Sequence, residues 1–327
     1  MLLRFFRSSG TQMIIFVPFL GVMLWLHSIL KTPHVLFLFD NSPMPLYKFI
    51  TGFLPATSAV AAAITLALVI LQGYWLVRLN TRFIFINNRN YLPAFLFVLL
   101  CTSIPDLQRL NPVLLSGFFL LLAIEKVFES YRNNKLAYEY FVASFYISVG
   151  SFFYPYLIFF IFSLWAALAV LKPFNWREWL FTIIGFFVPL FFAFSFYYLV
   201  HNDPLRLYND FKASFSSNFR VSDYHTAGIA FFGFMVLMVL VASQFMVRTY
   251  SVMKIFPRKS FTIIFWLFAN AIAVYLLVSQ ASVEMIFLVA IPLSYLFSNY
   301  FTFMKSTRWG NILLLIFLIL IVWIQVE

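Results

Sequence analysis

The sequence predicts an all-α protein: a polytopic bundle of about eleven transmembrane helices forming one domain over residues 1–327, with a cytoplasmic N-terminus. Three observations predict this class. First, 63% of the residues are hydrophobic and only 10% are charged, whereas about 25% are charged in an ordinary soluble domain. Second, apolar stretches long enough to cross a bilayer recur from end to end. Third, the ionisable residues lie between those stretches and are sorted by sign.

The predicted spans follow from length, because about 20 apolar residues cross a bilayer. They are 12–30, 51–77, 91–105, 112–125, 137–153, 156–171, 179–200, 226–247, 261–280, 284–303 and 311–325. The first has no small-residue cleavage pattern after it and therefore reads as a retained helix. The third and fourth are short and separated only by Asp106 to Asn111, so they could instead form a hairpin that does not fully cross.

The basic residues fix the predicted orientation, because Lys and Arg are enriched in cytoplasmic loops. If the N-terminus is cytoplasmic, the cytoplasmic side holds sixteen of the 22 basic residues: Arg4, Arg7, Arg78, Arg82, Arg89, Lys126, Arg132, Lys135, Lys172, Arg177, Arg248, Lys254, Arg258, Lys259, Lys305 and Arg308. The outer gaps hold Lys31, Lys48, Arg109, Arg206, Lys212 and Arg220, with most of the acids: Asp40, Asp106, Asp203, Asp210, Asp223, Glu284 and Glu327. Carboxylate chemistry is therefore expected at the outer face.

Composition also excludes some classes of function. The net charge of +11 comes from cations at the ends of apolar segments, which suits membrane lipids with anionic headgroups and disfavours nucleic acid as a partner. Cys101 is the only cysteine, so no disulfide within the chain and no cysteine-based metal site is expected. The four histidines show no ligand spacing, and no metal site is predicted from them.

Two outer loops, 31–50 and 201–225, are long enough to build a site. Asp40 lies in the first, ahead of the stiffening prolines Pro43 and Pro45. Asp106 follows Pro105 at the outer end of the third span. Two such carboxylates could converge over a cavity, one as general base towards a hydroxyl and the other orienting the acceptor or holding a divalent cation. The alternative is that each only solvates a loop or caps a helix.

The second outer loop carries Arg206, Lys212 and Arg220 on the side where cations are scarce, and a lipid phosphate is their expected partner. The alternative for this loop is an amphipathic surface helix without a ligand. Glu284 opens the tenth span within an apolar stretch and either lines a pocket or marks the membrane interface.

This layout resembles the polyprenyl-phosphate-sugar-dependent glycosyltransferases of the GT-C fold. Asp40, Asp106 and residues 201–225 fall where that superfamily has its first-loop acid, its acid between spans three and four, and its large outer loop. The segments VEMIFLVAIPLSYL (283–296) and FVASFYISVGSFFYP (141–155) are also similar to patterns of that group. The first outer loop is shorter than usual, and Ile286 stands where many of these enzymes have Arg.

The resemblance implies transfer of a sugar from a polyprenyl phosphate to a hydroxyl acceptor at the extracytoplasmic face. Asp40 would be the general base and Asp106 would orient the acceptor or a metal ion. The residues implied in binding the substrate or its lipid phosphate are Arg109, Arg206, Lys212, Arg220 and Glu284. The chain also resembles a family of Phe-rich bacterial inner-membrane proteins, which implies the bacterial cytoplasmic membrane.

Three alternatives stay open at this point. A glycan polymerase or ligase of the O-antigen kind would use similar lipid-linked substrates but depend on outer-loop arginines. A transporter of lipid-linked sugars should have a polar path through both halves of the membrane. A non-catalytic subunit of an envelope assembly needs protein partners in the envelope but no pocket.

Overall fold

The computed structural model describes residues 12–31, 37–86, 90–132, 138–201, 205–216 and 226–326, and these fold into helices joined by short turns. The α-helices are α1 (Gln12–Leu30), α2 (Leu38–Asn41), α3 (Pro45–Phe53), α4 (Ala59–Phe83), α5 (Leu92–Cys101), α6 (Pro112–Arg132), α7 (Tyr138–Ser151), α8 (Ile161–Leu171), α9 (Trp176–His201), α10 (Arg206–Ser216), α11 (Thr226–Thr249), α12 (Ile255–Leu277), α13 (Ile286–Phe303) and α14 (Thr307–Val326). Short 3-10 helices lie at Pro105–Leu107, Pro155–Phe160 and Val283–Met285. The described part of the chain has no β-strand, and this confirms the predicted all-α class.

Seven helical segments in the described ranges are long and apolar enough to cross a membrane: α1, α4, α9, α11, α12, α13 with its preceding 3-10 turn, and α14. The protein is therefore a multi-pass membrane protein by helix length and composition. The predicted third span is a helix of 10 residues, Leu92–Cys101, because the chain turns at Thr102 and Ser103. The predicted fourth span is longer than expected and continues to Arg132.

Local sequence explains several of these boundaries. The second span was predicted from residue 51, but α4 begins at Ala59 because the Ser58 side chain caps it and accepts a hydrogen bond from the Ala61 N–H at 3.1 Å. The helix ends with Ile84 in the left-handed region at φ 54°. The Asn80 side chain supports this turn by accepting from the Ile86 N–H at 2.9 Å.

The bundle is built around α13. Its span is 78% buried and packs against α5, α6, α11 and α12. By contrast, the α9 span is only 11% buried, and α9 packs mainly on α7. The α7–α9 crossing is close at Gly185, where a Cβ would overlap the Phe141 carbonyl and the Ser144 hydroxyl. Glycine at this position therefore allows the two helix backbones to approach each other.

Hydrogen bonds join turns that are far apart in sequence at one end of the bundle. The Tyr47 hydroxyl donates to the Leu110 carbonyl at 3.0 Å, and the Leu46 N–H donates to the Phe152 carbonyl at 3.2 Å. Further bonds connect Gln280 to Phe215, Tyr154 to Glu284 and Gln325 to Thr102. This end, named the pocket end below, gathers the turns that the charge pattern placed outside.

The opposite end of the bundle is held by ion pairs. Glu125 on α6 pairs with Arg82 and Arg78 on α4, and it also accepts from the Trp75 ring N–H at 2.9 Å. Pairs between Arg82 and Glu129, Lys126 and Glu129, and Lys126 and Glu139 extend the network from α4 to α7. These pairs neutralise the charged last turns of α6, which explains why the helix continues beyond the predicted residue 125.

Candidate functional site

Asp40 and Arg109 form an ion pair at the pocket end. Arg109 Nη2 contacts Asp40 Oδ2, and the Phe37 N–H donates to the same oxygen at 2.9 Å. The Arg109 side chain is 1% exposed, whereas that of Asp40 is 17% exposed. The pair therefore joins α2 to the turn before α6, with the cation fully inside the protein and the carboxylate at its edge.

Two aromatic rings cover the Arg109 guanidinium. Its carbon lies 5.5 Å from the ring centroids of both Phe37 and Phe39, within the range of cation–π attraction. The two rings are stacked with centroids 5.3 Å apart. Arg109 is thus enclosed, and its described contacts hold Asp40 in place. The predicted role of Arg109 in binding the substrate or its lipid phosphate stays a prediction.

Tyr47 fastens α3 beside this pair. Its ring packs edge-on against Phe39 with centroids 5.9 Å apart, and its hydroxyl donates to the Leu110 carbonyl. Burial first, and then the charge of Asp40, raise the pKa of Tyr47 above its ordinary value. The phenol therefore stays protonated and continues to donate this hydrogen bond.

Glu284 is a buried acid of the pocket end. It lies in the 3-10 turn that opens α13 and is 1% exposed. Its Oε2 accepts from the Ser282 hydroxyl, and its Oε1 accepts from the Ser282 N–H at 3.2 Å and the Tyr154 hydroxyl at 3.3 Å. Burial first, and then the charge of Glu284, raise the pKa of Tyr154 above its ordinary value, so this phenol remains a donor.

A small pocket lies between α2, α10 and the turn that precedes α8, with Glu284 in its wall. Its lining is aromatic and polar: Phe39, Ser42, Met44, Phe153, Tyr154, Pro155, Tyr156, Ser214 and Glu284. Phe39 is the chain neighbour of Asp40, so the pocket connects the surroundings of the two acids. In this conformation the walls are close enough that the hollow holds about one water molecule.

Helix α10 forms one wall of the pocket. The Tyr156 hydroxyl donates to the Ser214 carbonyl at 2.7 Å, and the Gln280 side chain donates to the Phe215 carbonyl at 2.7 Å. The same helix carries Lys212, which is exposed, and Arg206, which is half-buried. These cations lie on the helix that forms the pocket wall, whereas Arg220 lies outside the described residues.

Asp106 has a different environment. It is exposed in the 3-10 turn Pro105–Leu107, three residues before Arg109. Among the described residues, neither Asp106 nor Asp40 belongs to the pocket lining. The predicted pairing of these two acids over a cavity stays a prediction, while the structure joins Asp40 to Arg109 and places Glu284 in the pocket wall.

Sequence reasoning missed Tyr154, Tyr156 and Ser214, which build the pocket around Glu284. The only signal was the tight turn at Tyr154-Pro155, where two phenols flank a proline. Ser282 was visible as a polar residue ahead of Glu284. For metal binding, no group of three or more His, Cys, Asp or Glu side chains comes together within the ranges that the structure describes.

The fold and site define a multi-pass, all-helical membrane protein with a small polar and aromatic pocket at one end. Residues 46–326 match DUF6427, a family of unknown function, and the chain belongs to this family. The matched region contains Arg109, Tyr154 and Glu284, whereas Asp40 precedes it. Comparisons with curated proteins and with solved structures find no match.

Proposed function

We propose that this protein is a glycosyltransferase of the bacterial cytoplasmic membrane that works at the extracytoplasmic face. It takes a sugar from a polyprenyl phosphate and passes it to a hydroxyl acceptor, as the resemblance to the GT-C fold implies. The observation that carries the proposal is the pocket, where a buried carboxylate, Glu284, and aromatic side chains are gathered from three separate segments. Carboxylates and aromatic faces together suit a sugar, which presents both hydroxyls and apolar ring faces.

The proposal includes eleven crossings, with the pocket end outside. Seven helices are long and apolar enough to cross a membrane by length and composition. The other four crossings are α5, α6, α7 and α8 with its preceding 3-10 turn. The hydrogen bonds between turns support this arrangement because the turns predicted outside all meet at the pocket end. The shortest of these helices, α5, lies against α13 inside the bundle, so its length does not have to match the bilayer.

In the proposed reaction, Asp40 removes the proton from the acceptor hydroxyl, and Arg109 positions Asp40 through the ion pair. The acceptor oxygen bonds to the anomeric carbon of the sugar while the bond from that carbon to the phosphate oxygen breaks. Polyprenyl phosphate leaves with the electron pair, and Arg206 and Lys212 on α10 stabilise its negative charge. Glu284 transfers no proton and only accepts hydrogen bonds from sugar hydroxyls.

Substrate entry requires a conformational change, because the pocket holds about one water molecule in this conformation. The wall formed by α10 is the part we expect to move. It is fastened at its C-terminal half by the bonds from Tyr156 and Gln280. An acceptor and a lipid-linked sugar would displace this helix from the turn at Tyr154.

The experiment measures consumption of a radiolabelled polyprenyl-phosphate hexose by membranes that contain the full chain. Glu284→Gln should lower the rate by about 10- to 100-fold, because the sugar hydroxyls lose hydrogen bonds to a charged acceptor. The matched control is Glu129→Gln, the same change at the opposite end of the bundle, which should leave the rate unchanged. Equal rates for wild type and Glu284→Gln would remove Glu284 from the site.

Asp40 requires a variant that separates chemistry from folding, because its charge compensates buried Arg109. In the double variant Asp40→Asn/Arg109→Met both charges are removed, and the pair of aromatic rings can pack on the methionine. We expect this protein to fold and to lack transfer activity. Full activity in the double variant would exclude Asp40 as the base.

A second candidate, a non-catalytic subunit of an envelope assembly, is favoured by one observation. Asp40 is engaged by Arg109 beside a pocket that has room for about one water molecule, and a purely structural role needs no larger pocket. Wild-type membranes that consume no lipid-linked sugar, with the chain shown to be folded, would support this function and refute the transferase.

A further inference from the structure

The charged residues at the end opposite the pocket are divided between two halves of the bundle. All four acids of this end pair with nearby cations: Glu125, Glu129 and Glu139 within the α4–α6–α7 network, and Glu178 with Lys172 at 3.2 Å. In the described ranges this half carries six cations, Arg78, Arg82, Lys126, Arg132, Lys172 and Arg177, so its four acids compensate most of its positive charge. Its members all precede α11 in the sequence.

The other half of this end is cationic without compensation. The C-terminal end of α11 with the turn after it carries Arg248 and Lys254, and the turn after α13 with the start of α14 carries Lys305 and Arg308; all four are exposed. We name residues 248–254 and 304–308 the cationic turns. The sequence has no acid at all between Asp223 and Glu284 or between Glu284 and Glu327. Within the described ranges, no ion pair reaches the four cations of these turns.

The two cationic turns belong to neighbouring helices. Helix α11 packs against both α13 and α14, and the rings of Phe245 and Tyr300 meet edge-on with centroids 5.6 Å apart near the turns. Tyr250 belongs to the first of the two turns. The guanidinium carbon of a further cation, Arg258, lies 5.5 Å from the centroid of the Tyr250 ring. The positive charges are therefore concentrated on one side of the bundle end.

Exposed apolar side chains accompany these charges. Val252 is 87% exposed, Trp309 is 64% exposed and Ile255 is 63% exposed. Large apolar groups beside Lys and Arg at the end of transmembrane helices suit the headgroup region of a bilayer, where tryptophan is enriched. If the partner of these turns were instead a soluble acidic protein, it would pair with the cations but leave the apolar side chains exposed to water.

We propose that the cationic turns bind an anionic phospholipid headgroup. The phosphate would be held between the turns by Arg248 and Lys254 on one side and by Lys305 and Arg308 on the other. Val252 and Trp309 would rest among the acyl chains next to it. This site is independent of the pocket and of the proposed transferase activity, since it lies at the other end of the helices.

The test measures the lipids retained by the purified full chain, using native mass spectrometry after transfer from nanodiscs of phosphatidylcholine mixed with cardiolipin. Wild type should retain cardiolipin in preference to phosphatidylcholine. Arg248→Gln/Arg308→Gln should weaken this preference by about fivefold per charge, or roughly 25-fold in total.

The matched control is Arg78→Gln/Arg177→Gln, which removes two exposed arginines from the half of the same end that holds the four acids. Cardiolipin retention should be unchanged there. Lys254→Gln/Lys305→Gln provides a second test variant with other exposed positions, in case the first one folds poorly. Equal losses in the test and control variants, or no preference for cardiolipin in wild type, would overturn the proposal.

Discussion

Removing Asp40 and removing Arg109 from their ion pair should lower the unfolding free energy by very different amounts. Asp40→Asn keeps the shape of the side chain and an oxygen for the Phe37 N–H, but it removes the charge. The guanidinium, 1% exposed, then stays inside the protein without its carboxylate. Removing one partner of a buried pair costs about 3–5 kcal/mol of unfolding free energy. We expect about 3 kcal/mol, because the two phenylalanine rings still face the cation.

Arg109→Met should cost less. Its partner Asp40 is 17% exposed, so the stranded carboxylate can reach water and keeps its bond from the Phe37 N–H. We expect a loss of about 1 kcal/mol, in the range of partly solvated ion pairs and single hydrogen bonds. The methionine also packs on the two rings. The difference between the two single variants should therefore be about 2 kcal/mol.

The assay is unfolding by sodium dodecyl sulfate in mixed micelles, followed by tryptophan fluorescence. The double variant Asp40→Asn/Arg109→Met should be more stable than Asp40→Asn alone, because it removes the stranded charge together with its partner. An Arg109→Met variant as unstable as Asp40→Asn, or a double variant showing the sum of both losses, would refute this account of the pair.

Three further perturbations test other contacts. Gly185→Ala should lower the unfolding free energy by about 1–3 kcal/mol, since its Cβ overlaps the facing helix, whereas Gly233→Ala, with open space around it, should not be destabilising in the same micelle assay. Tyr156→Phe should loosen α10 by removing one of the hydrogen bonds that fasten it, so trypsin should cut faster at Lys212 on that helix; an unchanged cleavage rate would argue against this anchor. Glu125→Gln should cost about 1 kcal/mol, because its arginine partners are partly exposed, and the loss should shrink at high salt; a loss that salt does not change would contradict the ion-pair explanation.

The sequence alone was sufficient to predict that this is an all-helical, multi-pass membrane protein. Composition and the recurrence of apolar stretches are properties of the chain itself, and a chain with 10% charged residues requires lipid around it. The alternation of charge along the chain also predicted which turns belong together. The hydrogen bonds between Tyr47 and Leu110, and between Gln280 and Phe215, join turns that this pattern had grouped on one side.

The tertiary structure alone decided which side chains meet. Asp40 and Arg109 are 69 positions apart, and Tyr154 and Glu284 are 130 apart, so no local pattern connects them. Which polar groups pair depends on where the fold places their helices, because each buried charge needs an opposite charge or a hydrogen bond and each buried donor needs an acceptor. Hydropathy determines that a helix enters the membrane, but the packing of α5, α6, α11 and α12 around α13 determines which residues of α13 are buried.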